Sequence, residues 1–149
     1  MYRKLAVATA AVATLLSGTA TAAIAAPAAP VTKAAAPAAA EIPSVVDVTS
    51  ANYNQVMEWS KTKPVVLDFT ASWCYWCQKQ KPYLQQYNTQ DKGAWVWAKV
   101  DVDQNPSISR QYSVRGIPAL LNIRNGKEAG SRMVGFDGPT SLRNWLNRL

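Results

Sequence analysis

The sequence contains no histidine, and its 149 residues include only two cysteines, Cys74 and Cys77. These two scarcities remove several classes of protein. Without imidazoles, and with only two thiols, one chain cannot assemble the usual nitrogen and sulfur ligands of a zinc centre. Bridging of a metal between two copies is the one such arrangement left, so no metal and no cofactor are expected. Two cysteines three positions apart are also too few and too close for a secreted disulfide scaffold. A staple closing so small a loop restricts the unfolded chain very little. The pair therefore points to reactivity, with an inert disulfide or two buried thiols as the alternative. Basic clusters are missing as well: the 16 Lys and Arg are dispersed among 9 Asp and Glu, for a net charge of +7. No segment carries a nucleic-acid footprint, and none is expected as a partner.

Charge is absent from Leu5 to Ala26, and acids are absent before Glu41. Arg3 and Lys4 precede the uncharged run, and small-residue triplets such as Ala20-Thr21-Ala22 and Ala23-Ile24-Ala25 close it. That is the layout of a signal peptide over residues 1–26, which predicts export to the periplasm or the extracellular space. An uncleaved anchor is the alternative, but Ala and Thr make a weak membrane span. Residues 27–40 are almost wholly Ala and Pro, a composition that cannot bury enough side chain to offset the entropy of ordering it. They read as a disordered linker. The remaining residues, 41–149, suit one small domain. With 13 basic and 9 acidic side chains, this part carries about +4, a modest charge that favours solubility. Nothing in it demands more than a monomer.

Within that domain, Val45 to Val48 is a short β-prone run. Thr49 or Ser50 can cap a helix over about 51–60. Pro64 to Phe69 is a compact apolar run, the pattern of a strand buried on both faces. Cys74 to about Asn88 reads as a helix containing Pro82, and 94–102 as a second buried strand. A short helix over 107–112 precedes a strand over 118–123. Asn125-Gly126 is a strong hairpin turn, with a return strand over 130–136. Pro139 opens a last helix whose Leu142, Trp145, Leu146 and Leu149 form one stripe. The order β-α-β-α-β-α-β-β-α predicts an α/β fold. Its central mixed β-sheet is parallel until the hairpin adds an antiparallel edge, with helices on both faces.

Cys74 falls where a buried strand gives way to a helix, and the helix N-terminus favours a thiolate there. Cys77 follows one turn later. Asp68 is a carboxylate inside an apolar strand, where desolvation raises its pKa. Gly116-Ile117-Pro118 opens the next long strand.

The run from Val66 to Cys77 (VLDFTASWCYWC), Pro82, Ala98-Lys99-Val100-Asp101, Val114 to Pro118 (VRGIP), Asn125-Gly126 and Val134-Gly135 together resemble the thioredoxin family. The resemblance covers essentially all of residues 41–149 and implies a thioredoxin fold. It implies a thiol–disulfide oxidoreductase with Cys74 and Cys77 as the redox-active disulfide and Cys74 as the attacking thiol. Asp68 would be the base for Cys77, with Lys99 as its charge partner. Pro118 would be a cis-proline, with the Ile117 backbone facing an extended substrate segment. Each has a plainer alternative: a core acid, a lysine reaching to water, a trans turn proline. Trp73 would wall the site, or simply belong to the core.

The sequence departs from the family between the cysteines. Reducing members typically carry Gly-Pro there and strongly oxidising ones often a His, whereas Tyr75-Trp76 is neither. Without an imidazolium to stabilise the thiolate, the most oxidising behaviour is disfavoured. The two aromatics enlarge the apolar surface available to substrates. The expectation is a reductase or isomerase of disulfides in exported proteins, supplied with electrons by a membrane partner. A dithiol oxidase that introduces disulfides, or a chaperone-like peptide-binding module with incidental redox chemistry, are the alternatives.

Overall fold

The computed structural model describes residues 41–149, and the expected signal peptide and linker lie outside the described residues. Six strands and four helices follow in the order β1 (Val45–Asp47), α1 (Tyr53–Trp59), β2 (Val65–Thr70), α2 (Tyr75–Gln90), β3 (Val96–Asp101), α3 (Pro106–Gln111), β4 (Ala119–Arg124), β5 (Lys127–Glu128), β6 (Met133–Val134) and α4 (Pro139–Leu146). They form one mixed sheet ordered β1-β3-β2-β4-β5, with β6 also paired to β4.

Alternation along β2 divides the core into two layers. Val65, Leu67 and Phe69 pack with Val56 of α1 and Ile108 of α3. Val66 packs on the opposite side with Leu84 of α2 and with Leu142, Trp145 and Leu146 of α4. Each apolar side chain withdrawn from water in this way contributes about 1.5–3 kcal/mol. Since Asp68 shares its face with Val66, the same alternation turns its carboxylate toward the α2 layer.

Three expectations need correction. First, the sheet changes sense one strand before the hairpin: β1, β3 and β2 are mutually parallel, but β4 runs antiparallel to β2. The chain leaves β3, forms the six-residue α3 and enters β4 from the end at which β3 stopped, so that Ala119 stands beside Phe69. Second, the N-cap of α1 is Asn52 rather than Thr49 or Ser50. The Asn52 side chain folds back, accepting from Thr49 N–H and donating to the Asp47 carbonyl, both at 2.8 Å. Third, the return strand is broken in two. The Asn125-Gly126 turn, with φ of 51° and 74°, pairs Arg124 with Lys127 as a two-residue hairpin should. Beyond Glu128 the register slips by two, because residues 129–132 stand opposite only Leu121 and Asn122. Gly130, at φ 72°, takes the left-handed conformation this bulge needs.

Candidate active site

Cys74 is the N-cap of α2, one position before the helix that the sequence begins with it. Its amide donates to the Ala71 carbonyl at 3.2 Å, and its carbonyl accepts from Gln78 N–H at 3.1 Å. Its Sγ accepts the otherwise unused Cys77 N–H at 3.2 Å. A capping position occupied by sulfur is suited to hold a thiolate, because an amide donor and the positive end of a sixteen-residue helix both face it. Cys74 and Cys77 are joined as a disulfide with Cα atoms 5.2 Å apart. Both are nearly buried and pack with Ala71, Val102 and Ile117.

The aromatic residues around this pair are turned outward. Trp73, Tyr75 and Trp76 are 67%, 62% and 56% exposed, so Trp73 has no place in the core. The Trp73 indole N–H donates to Asp103 Oδ2 at 2.8 Å. The Tyr75 and Trp76 rings meet edge to face at 5.1 Å, and the Lys79 ammonium lies 5.3 Å from the Tyr75 ring centre. Across from them, the Ile117–Pro118 peptide is cis. Ile117 lies just outside the β4 ladder and stays half-buried against the disulfide cluster. Exposed Val134 on β6 continues the apolar rim beside Gly116.

Asp68, on β2 ahead of the cysteines, is buried. It opens onto a cleft of about 400 Å³ lined also by Asp47, Ser72, Gln78, Lys81, Trp97, Lys99 and Asp101. Desolvation raises its pKa from 3.8 to about 6, against the lowering effects of a Trp97 hydrogen bond and the Lys99 and Lys81 charges. That hydrogen bond runs from Trp97 Nε1 to Asp68 Oδ2 at 2.8 Å. Lys99 stands between two acids in the sheet, in register with Asp47 on one side and Asp68 on the other. Its ammonium is ion-paired at 2.8 Å with Asp47, the exposed one. Its influence on Asp68 is therefore that of a charge without direct ion pairing, and it favours the ionised carboxylate. Pairing at the wet edge avoids desolvating two ions together, which offsets much of the gain from a buried pair.

The structure brings Cys74, Cys77 and Ile117 into one cluster, with Pro118 next along the chain, the exposed Trp73, Tyr75 and Trp76 flanking the cysteines, and Asp68 and Lys99 lining one cleft. Trp97, Asp47 and Asp103 join them without having been expected from the sequence. Trp97 was accessible from the two-residue period that puts it on the same face as Lys99. Asp47 was not, because it requires knowing that β1 lies beside β3.

A pair of cysteines three positions apart at the head of a helix, in this order of strands and helices, is the arrangement of a thiol–disulfide oxidoreductase. The comparisons with known proteins agree. The thioredoxin family model matches residues 44–148. A thioredoxin of Buchnera aphidicola subsp. Baizongia pistaciae is 34% identical over 103 residues, which cover 69% of this chain and 93% of that one. One from Mycoplasmoides gallisepticum is 40% identical over 87 residues, covering 58% and 85% of the two chains. A solved structure, from work on the thiol-resolving mechanism of yeast mitochondrial 1-Cys peroxiredoxin via glutathione and thioredoxin systems, superposes with a TM-score of 0.61. It is 25% identical and covers 71% of this chain and 96% of its own. The chain belongs to the thioredoxin family, and its fold is the thioredoxin fold.

Proposed function

We propose that this protein reduces, or isomerises, disulfide bonds of exported proteins, with Cys74 as the attacking thiol and Cys77 as the resolving one. The observation that carries this reading is the capping geometry of Cys74, whose sulfur already accepts the Cys77 amide at the head of α2. In the reduced protein the Cys74 thiolate attacks one sulfur of a substrate disulfide. A Cys74–substrate disulfide forms, and the other substrate sulfur leaves as a thiolate that takes up a proton. Asp68 then accepts the proton of the Cys77 thiol. The resulting thiolate attacks Cys74, restores the Cys74–Cys77 disulfide and releases the second substrate sulfur, which is protonated in turn. Two electrons pass from the protein dithiol to the substrate, and the reverse sequence would oxidise a dithiol.

The exposed Tyr75, Trp76 and Trp73 supply apolar surface for a segment flanking the substrate disulfide. The Ile117 backbone, outside the β4 ladder, can pair with that segment as an added strand. Export rests on the signal-like residues 1–26, and a reducing direction then calls for a membrane partner that delivers electrons. The absence of histidine argues against strong oxidising power, because the thiolate has no imidazolium beside it.

Equilibration of the Cys74–Cys77 pair against graded glutathione or dithiothreitol buffers, read by alkylation and mass, tests the direction. A potential near thioredoxin's, about −270 mV, supports the reductase. A value between about −120 and −180 mV makes the protein an oxidase or isomerase and overturns the reducing assignment.

A further inference from the structure

The buried carboxylate of Asp68 is held by an indole. Lys99 occupies the register position beside Asp68, but its ammonium is drawn to Asp47. The position at the carboxylate is taken by Trp97, two residues earlier on the same strand face, whose indole N–H donates to Oδ2 in the buried layer. The Lys99 ammonium also lies 5.8 Å from the centre of that indole ring, so Asp47, Lys99, Trp97 and Asp68 form a connected row across β1, β3 and β2. Among the described residues Oδ1 of Asp68 has no hydrogen-bond donor, and the cleft reaches the carboxylate from outside.

We propose that Trp97 is a positioning residue of the reaction: it fixes Asp68 through Oδ2, while Asp47 keeps Lys99 off the carboxylate, so that Oδ1 remains free to take the Cys77 proton. A lysine bonded to Asp68 directly would hold it as an ion-paired carboxylate and weaken it as a base. A neutral indole donor orients the group while neutralising less of its charge. The inference rests on the proposed role of Asp68 as the base. The other charged groups lining the cleft with Asp68, besides Asp47 and Lys99, are Lys81 from α2 and Asp101 from β3. Lys81 favours the ionised carboxylate.

The test follows the resolving step alone. Reduced full-length protein is mixed with insulin, quenched at intervals and alkylated, and decay of the Cys74 mixed disulfide is measured from pH 4.5 to 9. Trp97→Phe removes the donor and should move the midpoint of the acid limb upward by about one pH unit. Asp47→Asn frees Lys99 toward Asp68 and should move it downward. Opposite shifts support the proposal. An unmoved Trp97→Phe midpoint, or shifts of both variants in one direction, overturns it. Asp68→Asn is the control: if its limb matches that of the unmodified protein, the base assignment itself falls and this inference with it. Should Trp97→Phe not fold, the indole Nε1–H resonance of Trp97 is followed in the unmodified oxidised protein. That signal should titrate with Asp68 and stop titrating in Asp68→Asn, and a flat response overturns the proposal.

Discussion

Trp73 and Asp103 are joined by a hydrogen bond of 2.8 Å that ties the residue before Cys74 to the turn after β3. Asp103 is itself placed by Asp101, whose Oδ1 accepts its N–H at 2.9 Å and that of Gln104 at 3.1 Å. Loss of the acceptor in Asp103→Ala should free the indole without loosening the core. Because the bond is exposed, its net contribution is below about 1 kcal/mol. Reduction of a protein disulfide should then slow by at most about fivefold, with Tm nearly unchanged in a thermal melt.

The two cysteines should fail differently. Cys74→Ser removes the attacking sulfur and should abolish turnover. Cys77→Ser leaves attack intact and should accumulate a mixed disulfide with insulin, visible as a mass adduct that dithiothreitol removes. Equal inertness of the two variants would contradict the division of labour between them.

Asp68 should cost stability at neutral pH. Its folded pKa, pushed up to about 6 by desolvation, exceeds that of the unfolded chain, so the native state binds the proton more tightly. Stability is therefore greatest below about pH 4 as far as this group is concerned, and is lost as pH rises through 6. The full effect is on the order of 3 kcal/mol. Asp68→Asn keeps an acceptor for Trp97 and removes the charge. The variant should unfold at higher urea than the parent at pH 8, and the gap should close near pH 4.

Tyr75 and Trp76 should govern substrate choice more than folding. Both side chains are largely exposed, so a Tyr75→Ala, Trp76→Ala double variant should shift stability by no more than about 0.5 kcal/mol per site. The KM for a peptide disulfide flanked by aromatic residues should rise severalfold, whereas the rate with a small disulfide such as oxidised glutathione should hardly change. Equal losses on both substrates would assign the two rings to the chemistry instead.

Much of the site could be read along the chain because it is local. The cysteine spacing, the apolar run ending before them and the single acid within it all lie between Val65 and Cys77, where strand and helix periods can be counted directly. Gly116-Ile117-Pro118 was conspicuous for similar reasons. What the chain order concealed was adjacency. The partner of Lys99 depends on β1 inserting beside β3, and the antiparallel course of β4 depends on the end from which the chain re-enters the sheet, which no residue within β4 marks. The two-residue slip after Glu128 was also hidden. Gly130 marked a break in a strand, but the number of extra residues follows from which pairs on either side close their ladder.

The outer strands of the sheet are very short. β1 has three residues, and β5 and β6 have two each, separated by the bulge. A sheet bounded in this way offers another chain little continuous backbone to pair with, which guards against edge-to-edge aggregation. The flanks are thereby guarded, and under the proposed function an extended substrate segment would be met at the end of the molecule that holds the two cysteines and Ile117.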